Sequence, residues 1–406
     1  MVMNQNDMVI ISAVRTPFGR FGGFLKDVDI YDLGAYVMRA ALDRISFPGE
    51  KIDEVWWGIG DTTNTKDPYT PVVARQSLLK AGLPPETPSC TLDKACVSGM
   101  SAVNYGIRSI KAGEAEVVLA GGATSFSTVP YLARNLRWGG VRVGGFKLED
   151  PIFPLGYKDY APVAVDSGDV AVEYGVSREE QDEWAVRSHQ KYGEAYAAGK
   201  FKDEMVPYEI KQKDGSVKVL EIDEQYRPNI KYEDLAKLPT IFNSKTCTAG
   251  NAPGMNDGAC ALIVTTRGKA EQLGLKPLAT ILGMVTTAAQ PRLLPVAPAL
   301  AIGKLLEKFN LSIDDMDLVE INEAFACVPL VSAKILAKND PAKYEEIKNK
   351  MNVNGSAIAV GHPNTCSGAR LMTTLLYELR RRGGGIGVAA ICGGLTQGDA
   401  ALIKVE

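Results

Sequence analysis

Short runs of apolar, β-forming residues alternate with helical spacing along this chain, the pattern of α/β layers. Val9, Ile10, Ile11, Ala13 and Val14 read as a buried strand. Over residues 32–45, Leu33, Val37, Ala40, Ala41 and Ile45 recur at helical spacing, and residues 52–57, rich in Ile, Val and Trp, read as a second strand. Beyond Ser98, the positions of Met100, Val103, Ile107 and Ile110 share one helical face, Gly113 stops the helix, and residues 116–120 return as a strand.

The last third repeats this order, and an internal repeat constrains architecture more than any single segment. Residues 279–283 match the first strand, and Leu305, Glu307 and Lys308 ahead of 316–321 resemble Leu42, Asp43 and Arg44 ahead of 52–55. Ser367-Gly368 opens a helix through Leu371, Leu375 and Leu379, and residues 386–391 run into Cys392-Gly393-Gly394 as 117–120 run into Gly121-Gly122. Two related α/β halves are the economical reading, divided as 1–276 and 277–406. Between them, over about 123–248, composition shifts to Pro, Tyr, Gly and charge, with an irregular stretch at 151–162. This reads as an insertion able to cover a pocket. Inside it a helix is expected over 177–198, opened by a capping box of Ser177 and Glu180. His189, among Arg187, Gln190 and Lys191, is expected on its solvated face.

Composition narrows the function classes. A chain of 406 residues, 46% hydrophobic, has material for two or three packed units. With 45 Lys and Arg against 48 Asp and Glu and no basic block, neither nucleic acid nor a membrane surface is an expected partner. Residues 1–7 are polar and the apolar runs are short, so cytoplasmic residence is expected. Seven cysteines without a Cys-x-x-Cys pair, and two histidines in all, point to free thiols and no metal site.

Three segments carry candidate chemistry. Cys96 stands directly before the helix that begins at Ser98, where the helix dipole and free N–H groups are expected to lower its pKa. By position alone it reads equally as a buried thiol at a tight turn. His362, in Gly361-His362-Pro363, is the histidine suitably placed to activate a thiol. Cys392 ends a strand ahead of Gly393 and Gly394, so a second sulfur and exposed amides complete a candidate acyl-transfer site. Asn322 leaves a strand in the equivalent way, and reads either as a holder of water or oxyanion or as a helix N-cap. The glycines at 385 and 387 precede a strand, so they make no dinucleotide cradle. No Walker A sequence or Gly-x-Ser-x-Gly elbow is present.

Ile11-Ser12-Ala13-Val14-Arg15-Thr16-Pro17-Phe18-Gly19, Cys96-Val97-Ser98-Gly99, Asn322-Glu323-Ala324-Phe325-Ala326, Gly361-His362-Pro363 with Ser367-Gly368-Ala369-Arg370, and Cys392-Gly393-Gly394 together resemble the thiolase family, acyl-CoA C-acyltransferases. The likeness runs in order from about residue 9 to the end. It implies two similar α/β halves in a five-layer αβαβα arrangement with a loop domain inserted in the first. It implies reversible, coenzyme-A-dependent cleavage of a 3-ketoacyl-CoA, with Cys96 as nucleophile, His362 as its base and Cys392 as the acid/base at the substrate α-carbon. Asn322 would hold a water that forms one oxyanion hole with His362; the N–H groups of Cys96 and Gly394 would form the other. Arg227 resembles a contact to the adenine nucleotide of coenzyme A, and Ala249, Ala324 and Phe325 resemble pantetheine contacts. Coenzyme A enters as substrate, no cofactor is tightly bound, and the family assembles as homodimers or homotetramers.

The chain also departs from the pattern. Asn364-Thr365-Cys366 follows Pro363 where an apolar residue, a glycine and a small residue are usual, and Leu395 and Thr396 break the glycine run after Cys392. Pro162 and Val163 stand nearest a missing His-Met pair, Leu294 replaces a methionine and Pro253 a serine. These changes point to an acyl group that is branched, longer or aromatic. Cys366 reads as a small pocket-lining residue more readily than as half of a redox pair. A ketoacyl synthase would need two histidines, and a Cys/His/Asn hydrolase no second cysteine. A catalytically impaired acyl-CoA-binding subunit is the alternative that the altered glycines keep open.

Overall fold

A computed structural model describes residues 4–60, 72–152 and 156–406. Residues 153–155 of the expected irregular stretch and residues 1–3 lie outside the described residues. The strands in chain order are β1 (Met8–Arg15), β2 (Gly19–Arg20), β3 (Glu54–Gly58), β4 (Ser89–Leu92), β5 (Val117–Thr124), β6 (Tyr208–Lys211), β7 (Val217–Leu220), β8 (Asn256–Thr266), β9 (Ala279–Ala288), β10 (Leu318–Ile321), β11 (Gly385–Gly393) and β12 (Gln397–Val405).

The order β3-β5-β8-β1 on one side is matched by β10-β11-β12-β9 on the other. In each set the first pair is parallel and the rest antiparallel. β4 extends the first set in parallel with β3, and a single parallel bridge from Val319 to Met351 stands in the same place in the second. The two sets join through Met8, Ile10 and their neighbour Val9 against Ile281, Ala279 and Thr280.

Each strand alternates its faces, and the two faces feed different cores. Val9, Ile11, Leu119 and Ile263 pack with Leu33, Val37 and Ala41 of the Ile30–Asp43 helix. Ile10, Val118 and Leu262 turn the other way, onto Met100, Val103 and Ile107 of the Ser98–Ala112 helix and Leu371 and Leu375 of the Ser367–Arg381 helix. Ala389, Ile391 and Ala401 close that central layer from the second set, while Val388, Ala390 and Leu402 face Ile302, Leu305 and Val331 of the outer helices. Helix, sheet, helix, sheet, helix is therefore the layer order. The two central helices meet at glycines: a Cβ on Gly99 would lie 2.6 Å from the Thr365 carbonyl oxygen, and one on Gly368 2.7 Å from Met100 Cβ.

The middle region is tied down by a buried charge cluster. Arg15, at the end of β1 and fully buried, donates to Glu204 Oε1 at 2.7 Å and to both Asp223 oxygens at 2.7 and 3.0 Å. Removing one partner of such a group costs about 3–5 kcal/mol, because a buried charge is left uncompensated.

The Arg178–Ala197 helix carries half of the expected capping box, with Ser177 Oγ accepting from the Glu180 N–H at 3.1 Å, while the Glu180 carboxylate accepts from the Tyr344 hydroxyl instead. Its exposure differs from the expectation. Trp184 and Ser188 donate to Glu323 at 2.9 and 2.8 Å, so this polar stripe docks on the second half. His189 is buried there, not solvated, and its Nδ1 accepts from the Arg227 N–H at 3.2 Å. Burial, with the Arg227 charge, lowers its pKa to about 3. A charged neighbourhood along the chain misled because partners distant in sequence supply the polar contacts.

Candidate active site

Cys96 occupies the middle of a 3₁₀ turn, Ala95–Val97, that runs straight into the Ser98–Ala112 helix. Ala95 adopts φ +51°, the left-handed region, and Asp93 Oδ1 accepts its N–H at 2.8 Å. Ser98 Oγ accepts from the Lys94 N–H at 2.8 Å and donates to the Ala95 carbonyl at 2.6 Å, which locks the turn from inside. Lys94 Nζ reaches Ser101 Oγ at 2.7 Å and Asp399 Oδ1 of β12 at 3.2 Å, so the turn is also held by the second half.

His362 arrives from that second half. Gly361 takes φ +108°, and a Cβ there would press on the Asn256 side chain at 2.8 Å, so only glycine fits. Asn256 Oδ1 accepts the His362 N–H at 2.9 Å. The ring then stands with Nε2 3.2 Å from Cys96 Sγ and Nδ1 2.7 Å from Ser367 Oγ. A neutral ring that donates Nδ1–H to Ser367 presents a free Nε2 lone pair to the thiol, the tautomer a general base requires.

Asn322 follows β10 and is not a helix cap; the next helix, Cys327–Leu336, is capped at Ala326. Its Nδ2 lies 3.5 Å from His362 Nε2. The adjacent Glu323 fixes the segment by accepting from Trp184, Ser188, Asn352 and the Ile358 N–H at 2.8–3.1 Å. Cys392 is buried at the end of β11, and Gly394 opens the three-residue turn to β12. In that turn Leu395 and Thr396 adopt φ +55° and +59°, conformations glycine takes most easily. The hairpin persists without the glycines, with Gly393 still paired to Gln397.

One cavity of about 540 Å³ gathers Cys96, His362, Cys392, Gly394, Ala324 and Phe325. Pro253, Leu294, Asn364 and Leu395, four positions of departure from the family pattern, line it too. Arg227 and Ala249 do not; both are exposed outside its wall. The turn bearing Ala249 is nonetheless joined to the Phe325 segment by the Ala326 N–H donating to the Asn251 carbonyl at 2.8 Å.

Electrostatics correct one expectation. Burial pushes the Cys96 thiol up to about 12 against the lowering by its own backbone hydrogen bonds, with Asp93 adding to the rise. Desolvation of the thiolate outweighs the helix N-terminus. Burial and then the Arg370 charge lower His362 to about 3, and burial holds Cys392 well above an ordinary thiol. Burial therefore favours a neutral thiol beside a neutral imidazole. Ser367, Asn256 and Tyr157 were not assigned roles in the sequence. Ser367 belongs to the Ser367-Gly368-Ala369-Arg370 segment, whereas the other two have no local pattern.

All seven cysteines are free, and among the described residues no group of three or more His, Cys, Asp or Glu side chains is placed to hold a metal. No helix among them is long and apolar enough to cross a membrane.

Residues 8–268 match the family description "Thiolase, N-terminal domain" and residues 275–405 match "Thiolase, C-terminal domain". The acetyl-CoA acetyltransferase of Chromobacterium violaceum is 39% identical over 98% of this chain and 99% of its own. The beta-ketoadipyl-CoA thiolase of Pseudomonas knackmussii is 41% identical over 98% and 99%. The crystal structure of human mitochondrial 3-ketoacyl-CoA thiolase in complex with CoA superposes with a TM-score of 0.91 at 38% identity, covering 99% of this chain and 98% of that one.

Proposed function

Because this chain belongs to the thiolase family, we propose that Cys96, His362, Cys392, Asn322 and Gly394 carry out its acyl transfer. The protein is an acyl-CoA C-acyltransferase, cleaving 3-ketoacyl-CoA with coenzyme A or running the reverse condensation. The observation that carries the residue assignment is the 3.2 Å approach of His362 Nε2 to Cys96 Sγ in a cavity that also holds Cys392.

His362 takes the Cys96 proton as Sγ attacks, and Cys392 returns a proton to the departing α-carbon. The N–H groups of Cys96 and Gly394 receive the oxygen of the carbonyl under attack. Asn322, through a water, and His362 receive that of the enolate. Coenzyme A binds as substrate, with Arg227 toward the nucleotide and Ala249, Ala324 and Phe325 along the pantetheine; the relative crystallised with CoA supports this. The acyl group is branched, longer or aromatic, which the apolar lining by Phe126, Val129, Leu294 and Leu395 supports. The division into halves at 1–276 and 277–406, cytosolic residence and homodimeric or homotetrameric assembly complete the reading.

The test is coenzyme-A-dependent cleavage of short, long, branched, dicarboxylic and aromatic 3-ketoacyl-CoA thioesters by wild type and Cys96→Ala. Cys96-dependent turnover is expected, strongest beyond acetoacetyl-CoA. A profile peaking sharply on acetoacetyl-CoA overturns the acyl assignment. Binding without turnover would revive the acyl-CoA-binding subunit, a reading that no feature of the site favours.

A further inference from the structure

Tyr157 sits on the irregular segment of the middle region, 39% exposed as a whole, and lines the cavity. A Cβ on Gly394 would collide with Tyr157 Oη and lie 2.6 Å from its Cζ, with Ala95 Cβ next at 3.2 Å. The phenol end is therefore wedged between Gly394 and the turn that carries Cys96. Cys96 and Cys392 line the same cavity as this phenol.

We propose that the Tyr157 hydroxyl is a third hydrogen-bond donor of the oxyanion site made by the Cys96 and Gly394 amides, acting on the C3 oxygen of the 3-ketoacyl-CoA. This rests on the reading of those two amides given above. In cleavage, Cys96 Sγ bonds to C3, its proton passes to His362 Nε2, and the C3=O π pair moves onto oxygen. On collapse that pair reforms C=O, the C2–C3 bond breaks with its electrons going to C2, and C2 takes the Cys392 proton. The C3 oxygen is anionic only between these steps, so a fixed O–H aimed there contributes most at the transition state. Burial first, and also the nearby Asp93 carboxylate, hold the phenol well above its ordinary value. It stays protonated throughout, a donor and never a base. The role also accounts for a hydroxyl at this place, since exclusion of water alone would need only the ring.

The experiment compares full-length wild type, Tyr157→Phe, Tyr157→Ala and Tyr160→Phe on the best 3-ketoacyl-CoA of the panel, reading kcat, KM and the single-turnover rate of acyl-enzyme formation. Tyr160, on the same segment, more exposed than Tyr157 at 50% against 39% and outside the cavity lining, is the control. Tyr157→Phe is expected to lower kcat and acyl-enzyme formation about 10–100-fold, with KM within about twofold, and Tyr160→Phe to match wild type. Unchanged kcat in Tyr157→Phe overturns the inference, as does a loss confined to KM. A Tyr157→Ala variant faster than wild type also overturns it, making the ring a plug. If wild type itself shows no Cys96-dependent turnover, the proposed function falls and this inference with it.

Discussion

The Ala95–Val97 turn and the Asn364–Cys366 turn each run directly into a 15-residue helix, Ser98–Ala112 and Ser367–Arg381, at equivalent places in the two halves. Cys96 is central in one and Thr365 in the other. Thr365 is fully buried, its Oγ1 donating to the Ala123 carbonyl at 2.6 Å and lying 2.9 Å from Thr124 Oγ1. Cys96 instead faces the cavity and the His362 ring. The second turn is packed under the end of β5, where a Cβ on Gly122 would come 2.7 Å from the Thr365 carbonyl. The first is left open between the halves. One local construction thus presents its central side chain to the cavity or packs it into the core according to what covers it.

The strongest way to break this comparison is to exchange the consequences of the two central residues. Cys96→Ala should lower turnover by about 10³-fold or more while leaving urea unfolding close to wild type. Thr365→Ala should retain Cys96-dependent turnover but lose about 1–3 kcal/mol of stability, since buried partners of its hydroxyl go unmet. Equal kinetic losses would show that the second turn is part of the reaction.

Next come the glycines where the helices cross. Gly99→Ala and Gly368→Ala should each cost about 1–3 kcal/mol by overpacking. No rotamer change relieves either, since the Gly99 methyl meets the Thr365 carbonyl oxygen at 2.6 Å and the Gly368 methyl meets Met100 Cβ at 2.7 Å and its N at 2.9 Å; Gly99→Ala should be slightly the worse for the closer approach. Denaturant midpoints at matched m-values check the order, and a neutral Gly99→Ala would mean that the halves separate easily.

The smallest effect concerns the two histidines. Both His189 and His362 are held neutral to about 3, whereas the unfolded chain protonates them near 6.5. Between those values the unfolded state binds more protons, so the histidines' contribution to stability is fully present above about pH 6.5 and is lost as pH drops toward 3. Each contributes about 1–2 kcal/mol between pH 7 and 5. Glu320, raised to about 8 by burial, acts in the opposite direction, losing stability as pH rises from its ordinary value through 8. The difference between wild type and His189→Gln isolates one histidine. An unchanged acid-side slope in that variant would mean that His189 is charged or exposed in the folded protein.

Three of the residues that meet in the cavity are legible in the sequence because they sit where the chain announces a turn: Cys96 ahead of Ser98-Gly99, His362 between Gly361 and Pro363, and Cys392 before Gly393-Gly394. The strand, helix, strand repeat was likewise written in apolar spacing, and the alternating faces of β1, β5 and β8 feed the two cores it implies. Tyr157 escaped notice as a lone tyrosine in an irregular segment, and the burial of His189 because its helix is polar along its length.

Residue order alone set which faces are apolar, where the backbone turns sharply and which side chains flank a nucleophile, since these depend on neighbours within a few positions. Assembly of the halves set the rest: the joining of β1 to β9, the meeting of Cys96 with His362 and Cys392, and the neutral resting state of thiol and imidazole. Desolvation and electrostatic field are sums over atoms hundreds of residues apart in the chain, so they exist only once the layers are stacked.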